Sequence, residues 1–308
     1  MRSKINAMNN SILYIIGNGF DLYHGIPSSY WHFRNYVEQK NTELFDALER
    51  YFNPDQLWSD FEATLAELDT DYILDEAANY LESYGTENWS DAFHHDYQYE
   101  IGERIKLVTT ELKAIFTEWI LSLEIPSYRD DMLKINREAI FMNFNYTPTL
   151  TRLYKVHKAN ITYIHNEAES EDSVLLLGHC INPDPLPQRG TEDEDVRITE
   201  GQQIIDQYFL DSYKQVGNII TEKQKFFEEL AKIEEINVFG HSMADVDLPY
   251  FEEIIKHLNV SKVKWHVSYF KPEEYEQRLH TLISLGIPEG NIIVEKLENF
   301  DSGQLSLL

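Results

Sequence analysis

SILYIIGNGFDLYHGIP, residues 11–27, is the stretch on which the fold turns. Its first half, Ile12-Leu13-Tyr14-Ile15-Ile16, is apolar and β-branched, with no polar alternation. Such a run suits a strand buried on both faces, as in a parallel sheet. It stops at Gly17-Asn18-Gly19-Phe20-Asp21. Two glycines around an asparagine permit a tight turn and leave backbone N–H groups uncovered. At the carboxyl edge of an α/β sheet that turn lies where ligands bind, and bare N–H groups favour a phosphate. There is only G-x-G here, with no third glycine at dinucleotide-fold spacing. The same residues therefore also read as an ordinary strand-to-helix turn.

Outward from this stretch, apolar spacing predicts a helix over 30–51, capped by Ser28 or Ser29. Trp58, Phe61, Leu65 and Leu68 form a helical stripe, and Ile101, Ile105, Val108, Leu112, Ile115 and Trp119 form a longer one. Residues 53–136 thus read as a helical insertion within a single domain spanning 1–308. Strands are expected at 139–144, 161–164, 173–177, 236–239, 263–270 and 291–295, with helices over 200–216, 221–234, 248–258 and 272–285. Residues 182–195, rich in Pro, Asp and Glu, read as an exposed loop. Strands alternating with helices predict an α/β fold: a Rossmann-like, mainly parallel sheet flanked by helices.

Composition narrows the functional classes. The chain has 308 residues, 43% hydrophobic, and a formal charge of −27. That charge repels DNA, RNA and anionic lipid, so direct nucleic-acid binding is disfavoured. No apolar run is long enough for a membrane span, and MRSKINAMNN lacks the apolar core of a signal peptide. Cys180 is the single cysteine, which excludes an intramolecular disulfide and a multi-cysteine zinc site. A cytoplasmic location and no required metal are expected.

The chemistry gathers at strand ends. Gly17-Asn18-Gly19, Asn145-Tyr146-Thr147, His165-Asn166 and Gly240-His241-Ser242 each close a predicted strand. In a parallel sheet those ends share one edge and one crevice, the setting of a nucleotide site. Each piece also has a plain structural reading. Asn145 serves equally as a turn cap, His165 as a structural histidine, and His241-Ser242 as a helix cap with Asp245 and Asp247 favouring the helix terminus. His94 and His95 are adjacent and cannot face one metal from a regular helix. His179-Cys180 offers too few ligands for a metal site.

IIGNGFDLYHGIPSSYWHF, LWSDFE at 57–62, FNYTPTLTRLY at 144–154, YIHN at 163–166 and VFGHSMADVDLPYF at 238–251 together resemble the AbiH family of bacterial abortive-infection proteins. A wider similarity is to sirtuin-like NAD-consuming domains. It implies that Asn145 and His165 are catalytic, Asn145 at the nicotinamide ribose and His165 as base. It implies that Gly17, Asn18, Gly19, Phe20 and Asp21 bind the dinucleotide, the N–H groups of 17–20 holding its pyrophosphate. Gly240, His241, Ser242 and Asp247 would serve the adenosine-side ribose, or Asp247 would orient His241, with Asp21 at the nicotinamide end as another placement. Asn166 stands where the sirtuin pattern has Gly, and the four-cysteine ribbon of the deacylases is missing. The resemblance therefore implies an antiphage effector that hydrolyses NAD, its substrate, and is activated by a protein partner or self-assembly. A non-catalytic nucleotide-binding sensor or interaction subunit is the alternative.

Overall fold

The computed structural model describes residues 11–81, 95–130, 132–183, 189 and 195–301. Parts of the expected 182–195 loop, and His94, lie outside these. Two compact units account for the chain. The first comprises Met1–Ser29, Ile120–Leu175 and Val216–Leu308, and the second Tyr30–Trp119 and Leu176–Gln215. The helices expected over 53–136 thus divide differently: the helical unit starts at Tyr30, ends its first segment at Trp119, and takes a second segment from 176–215.

The first unit is built on six parallel strands: β1 (Ile12–Ile16), β2 (Ile140–Asn143), β3 (Ile161–Tyr163), β4 (Glu235–Phe239), β5 (Lys264–Tyr269) and β6 (Ile292–Lys296). Their spatial order is β3-β2-β1-β4-β5-β6. The chain winds outward from β1 to β3, then returns to the other side of β1 and winds outward again. The reversal falls between β1 and β4, which pair in the register Tyr14↔Asn237 and Ile16↔Phe239. That is the topological switch point, outside which ligands bind in open α/β sheets.

Alternation along the strands sorts the core. Tyr14, Ile16, Phe141, Ile161, Tyr163 and Phe239 face a cluster with Phe20, Leu150, Leu153, Tyr154 and Phe300. Tyr14 stacks on Phe141 with ring centres 5.0 Å apart, and its hydroxyl accepts the Asn136 N–H at 3.2 Å. Leu13, Ile15 and Met142, also buried, point to the opposite face by the two-residue period.

Three expectations are corrected. Residues 173–177 form no strand; the apolar run buries Leu175 and Leu177 but leaves Val174 76% exposed. A short apolar run reports burial, not ladder pairing. The helix expected over 30–51 is two helices, Tyr30–Lys40 and Thr42–Tyr51, because the Asn41 side chain accepts the Leu44 N–H and starts a new N-terminus. The stripe from Trp58 to Leu68 is not one helix. Trp58 follows the turn Pro54–Leu57, Phe61 opens the single turn Phe61–Thr64, and Leu65 and Leu68 come after it, all in the second unit. The stripe's side chains are nonetheless buried, and the Trp58 indole N–H donates to Glu49 at 2.6 Å.

Within the second unit, helix Asp96–Lys106 packs on helix Val196–Asp211. The approach is close at Gly201, where a Cβ would lie 2.6 Å from the Ile101 side chain. No described helix is long and apolar enough to cross a membrane.

Candidate functional site

Each strand end singled out in the sequence, in the turns after β1, β2, β3 and β4, lies at the carboxyl edge of the first unit's sheet. The parallel ladder extends past the strands into these turns. Gly17 N–H donates to Phe239 O at 3.1 Å, and Gly19 N–H to Gly240 O at 2.8 Å. The glycines are required by this approach. A Cβ on Gly17 would lie 2.5 Å from His241 Cα; one on Gly240, whose φ is +66°, would lie 2.0 Å from Phe20 N.

Asn145 joins the same junction. Its side-chain amide donates to Gly17 O at 3.1 Å, and its own N–H is held by Asn143 Oδ1 at 3.2 Å. The preceding residue, Phe144, links both histidines. Its ring centre lies 5.6 Å from that of His165 and 4.2 Å from that of His241, edge-on to each. His165 is 5% exposed and also neighbours the Tyr146 ring at 5.8 Å.

The expectation that N–H groups of 17–20 hold a pyrophosphate is corrected at three positions. Gly17 and Gly19 donate to the β4 turn, and Phe20 N–H donates to Gly17 O at 2.9 Å. The Phe20 side chain is wholly buried in the core cluster beside Tyr154. Asn18 is exposed, and its Oδ1 accepts the Ser28 hydroxyl at 2.5 Å.

His241 and Asp247 do meet, at 3.5 Å between Nε2 and Oδ2. Nδ1 of His241 accepts the Met243 N–H at 2.9 Å, so the ring proton belongs on Nε2. Burial, and secondarily the Arg278 guanidinium, hold the imidazole down at about 3. The ring is therefore neutral, and its contact with Asp247 is a polar approach, not an ion pair. Ser242 is exposed on the same turn.

Asp21 is the most unusual group here. Its side chain is fully buried on helix Asn18–Tyr23. Thr147 donates to Oδ2 at 2.5 Å, and Thr147 and Thr149 share a 3.1 Å hydroxyl contact. Oδ1 makes no hydrogen bond of good geometry among the described residues. Burial raises its pKa to about 6, against the pull of Thr147, Thr149 and Asn145. Such a carboxyl can exchange a proton near neutral pH.

Sequence reasoning missed Thr147 and Thr149 as carboxylate partners, although FNYTPT carries both. It also missed Ser268, whose hydroxyl accepts the Gly240 N–H at 2.8 Å, and Arg278, which donates to the Ser242 carbonyl. No local motif marks either one. Among the described residues, no three His, Cys, Asp or Glu side chains converge as a metal site.

A family model described as bacteriophage abortive infection AbiH matches residues 13–269. No curated protein and no solved structure matches.

Proposed function

The chain belongs to the AbiH family of bacteriophage abortive infection proteins, and on that premise we propose that it defends the cell by hydrolysing NAD to nicotinamide and ADP-ribose. The observation that carries this reading is the junction itself. Asn145 is bonded to the Gly17 carbonyl, and the Phe144 ring touches both His165 and His241. These contacts join all four turns, and the Gly240 carbonyl ties that of β4 to Gly19 as well.

Nicotinamide leaves with the electron pair of the broken C–N bond, which neutralises its ring. It needs no proton. Positive charge then develops on the ribose, and the protein has to hold that sugar and deliver water. Asn145 fixes the ribose hydroxyls or the water. His165 takes the proton that the attacking water loses as its oxygen bonds to the sugar carbon. An imidazole is suited to that task near neutral pH. Enclosure of His165 between Phe144 and Tyr146 limits access of bulk water to the base. In this reading the protein acts in the cytoplasm and is switched on by a protein partner or by self-assembly.

Nicotinamide release from NAD by the purified protein, alone and with candidate activators, tests the proposal. Loss of the base in His165→Ala is expected to slow release by about 10²-fold or more, and Asn145→Ala to slow it comparably. A variant as fast as the parent removes that residue from the mechanism. A second reading, a nucleotide sensor without turnover, draws on Asn166, which stands beside His165 where the sirtuin-like pattern has Gly. ADP-ribose binding by calorimetry, with no nicotinamide formed by the activated protein, would favour it.

A further inference from the structure

We propose that Arg278 holds a phosphate group of the bound nucleotide at the exposed turn after β4. The assignment rests on the reading of this edge as a nucleotide site, but not on hydrolysis.

An anion at this edge needs donors, and the backbone offers few. The N–H groups of Gly17, Gly19 and Phe20 are bonded within the two turns, and that of Gly240 is bonded to Ser268. Arg278, on helix Glu274–Ser284, brings a guanidinium to the same turn. It is 7% exposed, a costly place for a charge unless that charge is matched.

The match within the protein is incomplete. One Nη donates to the Ser242 carbonyl, a neutral acceptor. The other faces Glu274, one helical turn back, at 3.6 Å, beyond hydrogen-bond length. That carboxylate also takes the Phe270 N–H at 3.0 Å. Nε of Arg278 is buried and has no partner among the described residues. With 53 acidic residues in the chain, a closer carboxylate would be simple to provide.

The surroundings favour an external anion on the Ser242 side. His241, next to Arg278, is neutral, so the attraction for an anion comes from the guanidinium. Asp247 contacts Nε2 of His241 and would repel an anion there. Ser242 is exposed, and its carbonyl is the group Arg278 already grips. A planar guanidinium fork matches the oxygens of a phosphate in geometry as well as charge. Arg278 also lies beyond residues 13–269, so the family match does not reach it.

Calorimetric titration with ADP and with adenosine, at low and high salt, tests the assignment on the parent, Arg278→Gln and Arg278→Lys. The parent should bind ADP more tightly than adenosine, with an ADP affinity that falls as salt rises. Arg278→Gln, which can still donate to the Ser242 carbonyl, should lose about tenfold or more in ADP affinity. It should keep its adenosine affinity and lose most of the salt dependence. Arg278→Lys keeps the charge without the fork and should fall between the two. If the Gln variant does not fold, the Lys variant carries the test: weaker ADP with unchanged adenosine supports the assignment. Unchanged ADP affinity, equal loss for ADP and adenosine, or a parent that does not prefer ADP overturns it. The expected pattern without nicotinamide release would leave Arg278 in place and remove the hydrolase. Release with unchanged ADP affinity would do the reverse.

Discussion

Burial moves Asp21 and His241, enclosed ionisable groups of this edge, in opposite directions, so they leave opposite marks on stability. Asp21 has its folded-state pKa raised to about 6. The folded chain holds that proton more tightly than the unfolded chain, whose carboxyl titrates near 3.8. Its contribution is favourable below the unfolded pKa and is lost as pH rises through about 6. At neutral pH the ionised carboxylate therefore costs on the order of 3 kcal/mol. Asp21→Asn should raise the melting temperature at pH 7.5 by roughly 5 °C or more, with the gain vanishing by about pH 4. A variant that melts lower than the parent at pH 7.5 would contradict this account. If Asp21 supports turnover, the same variant should be the slower enzyme, as expected where stability is sacrificed for function. His241 has the reverse sign. Its folded-state pKa is depressed to about 3 from 6.5. Its neutral form contributes stability that is complete above 6.5 and lost as pH falls toward 3. His241→Gln, whose amide can still accept the Met243 N–H, should flatten the melting-temperature profile across that window.

At the scale of elements, the turns after β1 and β4 act as one joint because their backbones touch. Gly240 combines a left-handed φ of +66° with a Cβ position 2.0 Å from Phe20 N. Gly286, at the end of helix Glu274–Ser284, has a φ of +86° but, its chain neighbours aside, nothing within 4 Å of its Cβ position. Gly240→Ala should therefore cost about 3 kcal/mol or more, from strain plus steric displacement of β1's turn. Gly286→Ala should cost only the strain, about 1 kcal/mol. Urea unfolding of the pair separates close approach from conformational freedom, and equal losses would show that the contact does not matter. The helical elements teach a related lesson. The stripe from Trp58 to Leu68 correctly marked buried residues, but the chain buries them from short turns and the segments that follow them. Asn41 lies inside the helix expected over 30–51, yet its side chain begins a new one. Periodicity reports which side chains leave water. It says less about whether the backbone between them is continuous.

For the molecule as a whole, the dominant long-range term is the charge of −27. Self-repulsion of that size opposes compaction. Shortening the screening length from about 30 Å at 0.01 M salt to about 8 Å at 0.15 M should relieve it. Differential scanning calorimetry is expected to give a higher melting temperature at the higher salt. An unchanged or lower value would mean that local ion pairs, such as Lys214 with Glu62 in the second unit, outweigh the net charge.

The sequence by itself determined the parallel α/β class, the central strand Ile12–Ile16 and the carboxyl-edge placement of the glycine turns, Asn145, His165 and His241. All of these follow from local apolar runs and the residues that end them. Only the tertiary structure decided that the turn N–H groups bond to one another, that Asp21 is enclosed with Thr147, and that Ser268 and Arg278 support the β4 turn. It also decided how the helices divide between two units. The physical reason is distance along the chain. Gly19 meets Gly240, and Asp21 meets Thr147, because strand order seats β4 and β2 on either side of β1. No local pattern encodes which donors such neighbours satisfy or which charge they leave exposed to a ligand.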